Sequence, residues 1–232
     1  WGYFADGESP EILIGDMNKL RTLSQEPDKP YFMLGHSMGS YLLRRYLSVY
    51  GGGLSGAVIM GTGANPDAVA KLGMAICKAI AAFKGWKYRS PFMEKLFFSG
   101  DFQKFDMDGT HPENSWLTKD TEIVRFYYSE PRCTFKFTLK AYYDFLKTVY
   151  YVNRKENVEK IPKDLPILMV AGDCDPVGEF GKAVKRVYEM YKAAGINDVT
   201  LKLYENDRHE ILNETDKERV FDDIFNWCES RQ

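Results

Sequence analysis

The chemistry-bearing residues of this chain form a short list. Gly35-His36-Ser37-Met38-Gly39 follows the apolar run Tyr31-Phe32-Met33-Leu34, and a helical period starts within a residue or two of Gly39. In a G-x-S-x-G turn between strand and helix, the glycines allow a tight crossing and the serine hydroxyl stands clear of the sheet edge. The backbone N–H of Met38, at a helix N-terminus, is then placed to donate to a developing oxyanion. A serine hydroxyl is a weak nucleophile until a base takes its proton. Only His36, His111 and His209 are available. His36 is inside the turn itself, where packing or orienting the loop suits it better, and His111 sits in Asp108-Gly109-Thr110-His111-Pro112, a turn. His209 follows the last strand and is the expected base. The acid should stand after a strand, between Ser and His in the chain. Gly172-Asp173-Cys174-Asp175-Pro176 offers two. Asp175 is the choice, because Pro176 pins the backbone after it, and Asp173 is expected to bond its own backbone in the turn.

The elements that must hold these residues alternate. A helix is expected from Ser9-Pro10-Glu11 to about Ser24, with Leu13, Met17 and Leu20 on one face. The run from Tyr31 reads as a strand buried on both faces. A helix with Leu42, Leu43, Tyr46, Leu47 and Tyr50 on one face follows and ends at Gly51-Gly52-Gly53. Ala57 to Met60 and Ile167 to Ala171 read as further buried strands, and Val199 to Tyr204 as a half-exposed outer one. Helices are expected around Val184 to Tyr191 and Val220 to Cys228. Strands alternating with helices imply parallel β/α units.

Between the second and third strands, about 100 residues show no strand pattern. Val69, Leu72, Ile76, Ala79, Ile80 and Phe83 mark an amphipathic helix, and more than half of the chain's aromatic residues lie between Phe83 and Tyr151. The expected organisation is a core of residues 1–63 and 162–232 with a helical cap at 64–161. Most of these rings must be core, and the cap's inner face is expected to line an apolar pocket.

Several functions are disfavoured. Lys and Arg number 31 against 33 Asp and Glu, a formal charge of −2, so the basic surplus of a nucleic-acid binder is missing. No apolar run approaches the roughly 20 residues that span a bilayer. Cys77, Cys133, Cys174 and Cys228 are far apart, which predicts neither a zinc site nor a redox pair and suits a reducing, cytoplasmic setting. No metal or cofactor is expected.

These residues resemble the α/β-hydrolase superfamily, and more narrowly the branch of monoacylglycerol lipases, bacterial lysophospholipases and serine aminopeptidases. The resemblance rests on the Gly-His-Ser-Met-Gly elbow, the insertion after the next strand, Gly172-Asp173-Cys174-Asp175-Pro176-Val177, the late His209, and Ser115-Trp116-Leu117-Thr118, similar to a lid segment of that branch. It implies a cofactor-free serine hydrolase acting on carboxylic esters, often of lipid-like alcohols, with the triad Ser37, Asp175, His209. A serine at the elbow separates it from the dehalogenase and epoxide-hydrolase relatives. Members begin with several more strands and a His-Gly pair that supplies a second oxyanion N–H, and nothing before Ser37 matches it. The strand at Tyr31 is therefore expected to present a bare edge. Three arrangements answer this: a longer protein of which the front half is missing, pairing with a second copy, or a reduced relative with little catalysis. A start at Trp1 fits the first. A small-molecule ester is the expected partner. The competing activities are amide hydrolysis at peptide N-termini, or a non-catalytic scaffold.

Overall fold

A computed structural model describes residues 1–231. It contains four strands, β1 (Phe32–His36), β2 (Gly56–Met60), β3 (Ile167–Gly172) and β4 (Val199–Tyr204), all parallel and in the order β1-β2-β3-β4. Because all four strands are parallel, the sheet's carboxyl edge carries the loops after β1, β2, β3 and β4 together.

The first β/α units are built as their sequences require. α1 (Ser9–Ser24) starts with Pro10 in its first turn, where a missing N–H costs nothing. Its core contact is made by Ile14, with Met17 packed beside it, while Leu20 is 65% exposed. The face read from Leu13, Met17 and Leu20 is thus turned, and the buried Arg21 takes its place, bonding the carbonyls of Tyr50 and Gly52. α2 (Met38–Tyr50) buries Leu43, Tyr46 and Leu47 against the sheet. Arg44, almost fully buried on the same helix, donates to Thr62 Oγ1 and to the carbonyls of Gly63 and Val152. It ties the loop after β2 to the inserted segment.

β2 and β3 are buried throughout, as their unbroken apolar runs demand. β1 is not. Only Gly35 is fully buried and Leu34 is 47% exposed, because among the described residues β1 pairs on one side alone. The expectation of a strand buried on both faces fails here, and the expected open edge is found.

Between β2 and β3 the chain is helical: α3 (Asp67–Lys84), α4 (Pro91–Phe97), α5 (Thr121–Ser129), α6 (Leu139–Val152) and the single turn α7 (Lys155–Val158), with 3-10 turns at Gly100–Lys104 and Pro112–Asn114. α3 packs on α6 with an unexpected face. Ala70, Gly73, Cys77 and Ala81 are buried, whereas Val69, Leu72 and Phe83 are exposed, Phe83 by 90%. Small residues win because the helices lie close: a Cβ on Gly73 would stand 2.7 Å from Leu146 Cδ1. α8 (Lys182–Ala193) buries Val184, Val187 and Tyr191, and α9 (Lys217–Glu229) buries Val220 and Trp227 while Phe221 and Phe225 face outward. Among the described residues no helix is long and apolar enough to cross a membrane.

Candidate active site

Ser37 occupies the turn between β1 and α2 with φ 54° and ψ −124°, a conformation that L-residues adopt only when the surroundings over-determine it. Two contacts do so. The Ser37 N–H donates to the Met60 carbonyl at 3.0 Å, and Ser40 returns both its N–H and its Oγ to the Ser37 carbonyl. Gly35 explains the tightness, since a Cβ there would meet the Gly39 carbonyl oxygen at 2.4 Å. At Gly39 a Cβ would find open space, so that glycine is not required by contact within the described residues. Met38 opens α2, and its N–H belongs to the first turn, which helical hydrogen bonding leaves free.

His209 and Asp175 meet at the same edge. Asp175, fully buried, places Oδ2 2.9 Å from His209 Nδ1, and its Oδ1 accepts the Val177 N–H at 2.8 Å. That pair fixes the tautomer with the proton on Nδ1 and turns Nε2 outward from the acid. His209 is 2% exposed, and its Nε2 has no hydrogen-bond partner. Asp173 is differently employed from the expectation. Its carboxylate accepts the Asn206 N–H at 2.8 Å, so it braces the loop that carries His209 rather than its own turn.

His36 lies between these groups. Its ring is 4.6 Å from that of His209, and its Nε2 donates to the His209 carbonyl at 3.0 Å. Burial, with help from nearby His209, lowers the His36 pKa from 6.5 to about 4, so its ring is neutral at pH 7. Both rings lie close to Gly61, whose φ of 58° strains any other residue and whose Cβ position, 3.1 Å from His209 Cε1, would press on them. His111 is a surface residue of the insertion, 3.5 Å from Glu113, and takes no part.

Sequence reasoning missed the support of the His209 loop. The segment after Pro112–Asn114 runs alongside it: His209 and Glu210 donate their N–H groups to the carbonyls of Trp116 and Leu117, at 3.3 and 2.7 Å. Glu214, with no exposure, accepts from Thr118 Oγ1, the Lys119 N–H and the Arg208 N–H. Arg208 itself donates to the carbonyls of Ser115, Thr118 and Glu113. Lys119 Nζ lies 2.7 Å from Asp207 Oδ1, and burial pushes the Asp207 carboxyl up against that pull. Trp116 brings its ring 5.1 Å from His209 and continues to Phe102 and Phe98, at 5.3 and 6.1 Å. Nothing in the sequence linked Glu214 to residues almost 100 positions earlier.

Among the described residues no group of three or more His, Cys, Asp or Glu side chains is arranged to hold a metal ion.

A parallel sheet with a strained serine between strand and helix, and a histidine–carboxylate pair at the same edge, defines an α/β hydrolase of the serine type. Residues 2–216 match the family described as serine aminopeptidase, S33, and the chain belongs to that family. A monoacylglycerol lipase of Mycolicibacterium smegmatis is 26% identical over 211 residues, which are 89% of this chain and 65% of that protein. The chain thus spans about two thirds of the length of that curated relative. A thermostable carboxyl esterase from Bacillus coagulans, solved with glycerol, is 30% identical with a TM-score of 0.88, covering 100% of this chain and 74% of the esterase. A soluble variant of the monoglyceride lipase of Saccharomyces cerevisiae, 22% identical, shares the fold with a TM-score of 0.74 over 100% of this chain and 71% of its own.

Proposed function

We propose that this chain hydrolyses carboxylic esters of apolar, lipid-like substrates, of the monoacylglycerol or lysophospholipid kind, through an acyl-enzyme on Ser37. The observation that carries the reading is the buried Asp175–His209 pair, whose Nε2 lacks a partner beside the Ser37 turn. In the proposed cycle His209 Nε2 takes the Ser37 proton as Oγ attacks the ester carbonyl, and Asp175 stabilises the imidazolium. The carbonyl oxygen takes up the negative charge and accepts from the Met38 N–H. Collapse expels the alcohol, which receives the proton from His209. Water then repeats the sequence on the acyl-enzyme, releasing the acid and restoring Ser37.

Three observations support an apolar substrate. The rings of Trp116, Phe102 and Phe98 form a mutually touching aromatic cluster beside His209. Residues 64–161, taken as a cap, supply that cluster. The relatives at 26% and 30% identity bear the names of a monoacylglycerol lipase and a carboxyl esterase. Four free cysteines suit a cytoplasmic setting, and a small-molecule ester is the partner. A second reading, amide hydrolysis at peptide N-termini, takes its support from the family's description.

Fluorophosphonate labelling of the purified chain beside Ser37→Ala, read by intact mass, tests the nucleophile. One adduct in the parent and none in the variant is expected. A series of 4-nitrophenyl esters from acetate to laurate, set against aminoacyl 4-nitroanilides, then separates the readings. Faster turnover of the anilides would overturn the esterase assignment.

A further inference from the structure

His209 is enclosed by groups from four parts of the chain. Asp175 comes from the loop after β3, His36 from β1 and Gly61 from the end of β2, while Trp116 comes from the insertion. Arg208 and Glu210 flank it on its own loop, Arg208 turned to the carbonyls of Ser115 and Thr118 and Glu210 to Asn213 Nδ2. Of these, Trp116 alone offers an extended π-surface. Its ring and the imidazole are 5.1 Å apart and tilted by 31°, a centroid separation within the range of interacting aromatic pairs. Trp116 is 8% exposed and His209 2%, so the contact is dry, and an aromatic ring's attraction for a neighbouring cation is greatest when desolvated.

We propose that Trp116 is a positioning residue for His209: its indole fixes the plane of the imidazole and favours the imidazolium that forms when the Ser37 proton is taken. The inference rests on His209 being the general base. It makes the insertion part of the proton-transfer apparatus, not only a cover over the substrate. The ring's contribution is separable from that of the segment carrying it. The two N–H groups of His209 and Glu210 are held by the backbone carbonyls at 116 and 117, and Glu214 anchors Thr118 and Lys119. Those bonds survive a change of side chain at position 116.

The test reads the base without substrate. In the 232-residue chain with labelled histidine, the His209 imidazole resonance, assigned by its loss in His209→Gln, is titrated in the parent, Trp116→Leu and Trp116→Phe. Losing the indole should lower the His209 midpoint below that of the parent, and Phe should restore much of the difference. His111, exposed, is the internal control and should not move. An unchanged midpoint in Trp116→Leu, or equal shifts in Leu and Phe, would overturn the proposal. Should Trp116→Leu fail to fold, tryptophan emission of the parent minus Trp116→Phe is followed against pH. Quenching that tracks protonation of His209 and is absent in His209→Gln is expected, and emission indifferent to that protonation would sink the idea. The same samples, given esters, keep the two readings apart. A midpoint shift without hydrolysis refutes only the esterase, and hydrolysis without a midpoint shift refutes only the role of Trp116.

Discussion

His36 Nε2 donates to the backbone carbonyl of His209 at 3.0 Å, so the residue before the strained serine holds the loop that carries the histidine. A carbonyl can only accept, and the bond therefore requires the Nε2–H form of His36. Its neutrality also has a thermodynamic consequence. With a folded pKa of about 4 against 6.5 for the free side chain, the unfolded state binds more protons between those values. Stability contributed by the neutral ring is complete above pH 6.5 and is lost as the pH falls toward 4, by about 2–3 kcal/mol. His36→Gln, which retains a donor, should flatten this slope. Urea midpoints from pH 4.5 to 7.5 in parent and variant check it, and equal slopes would exclude His36 as the source.

Asp175→Asn keeps the shape of the carboxylate but offers a donor to Nδ1–H, and should release the imidazole into the wrong tautomer. By comparison with other serine hydrolases, a fall of about 10³–10⁴ in kcat is expected, with KM little changed. Steady-state kinetics on 4-nitrophenyl butyrate measures it. Asp173→Asn, two residues away in the same loop, should cost less than tenfold.

Glu214→Ala strips the acceptor from Thr118 Oγ1 and the N–H groups of Lys119 and Arg208, all at a buried site. Leaving these donors unpaired should cost about 3 kcal/mol or more, seen as a lower urea midpoint. A loss below ~1 kcal/mol would mean that water fills the site.

Gly61→Ala combines two penalties, a Cβ at φ 58° and contacts of 3.1–3.2 Å with the His209 and His36 rings. The strain is worth about 1–2 kcal/mol, and relief requires the rings to move. Thermal denaturation should register the first, and a slower fluorophosphonate reaction the second.

The four strands could be read from the sequence because each is a short apolar run between turn residues, and the pairing of Asp175 with His209 because a strand ends shortly before each. What stayed hidden depended on distances between elements. α3 buries Ala70, Gly73, Cys77 and Ala81, since proximity to α6 excludes the larger side chains that a hydrophobicity pattern selects. Phe221 and Phe225 mark a helix correctly and point the wrong way, the core face being set by Val220 and Trp227. Glu214 looked like an ordinary charge because its partners come from the inserted segment.

Strand order equal to chain order also bears on assembly. Each β/α unit can dock as it becomes available, and the strained serine turn needs only β1, α2 and the Met60 carbonyl at the end of β2. The histidine arrives last, after the insertion has supplied Trp116 and Leu117 and after β4 has found β3. An intermediate that lacks β4 and the loop after it thus holds a shaped serine turn without the histidine that pairs with Asp175.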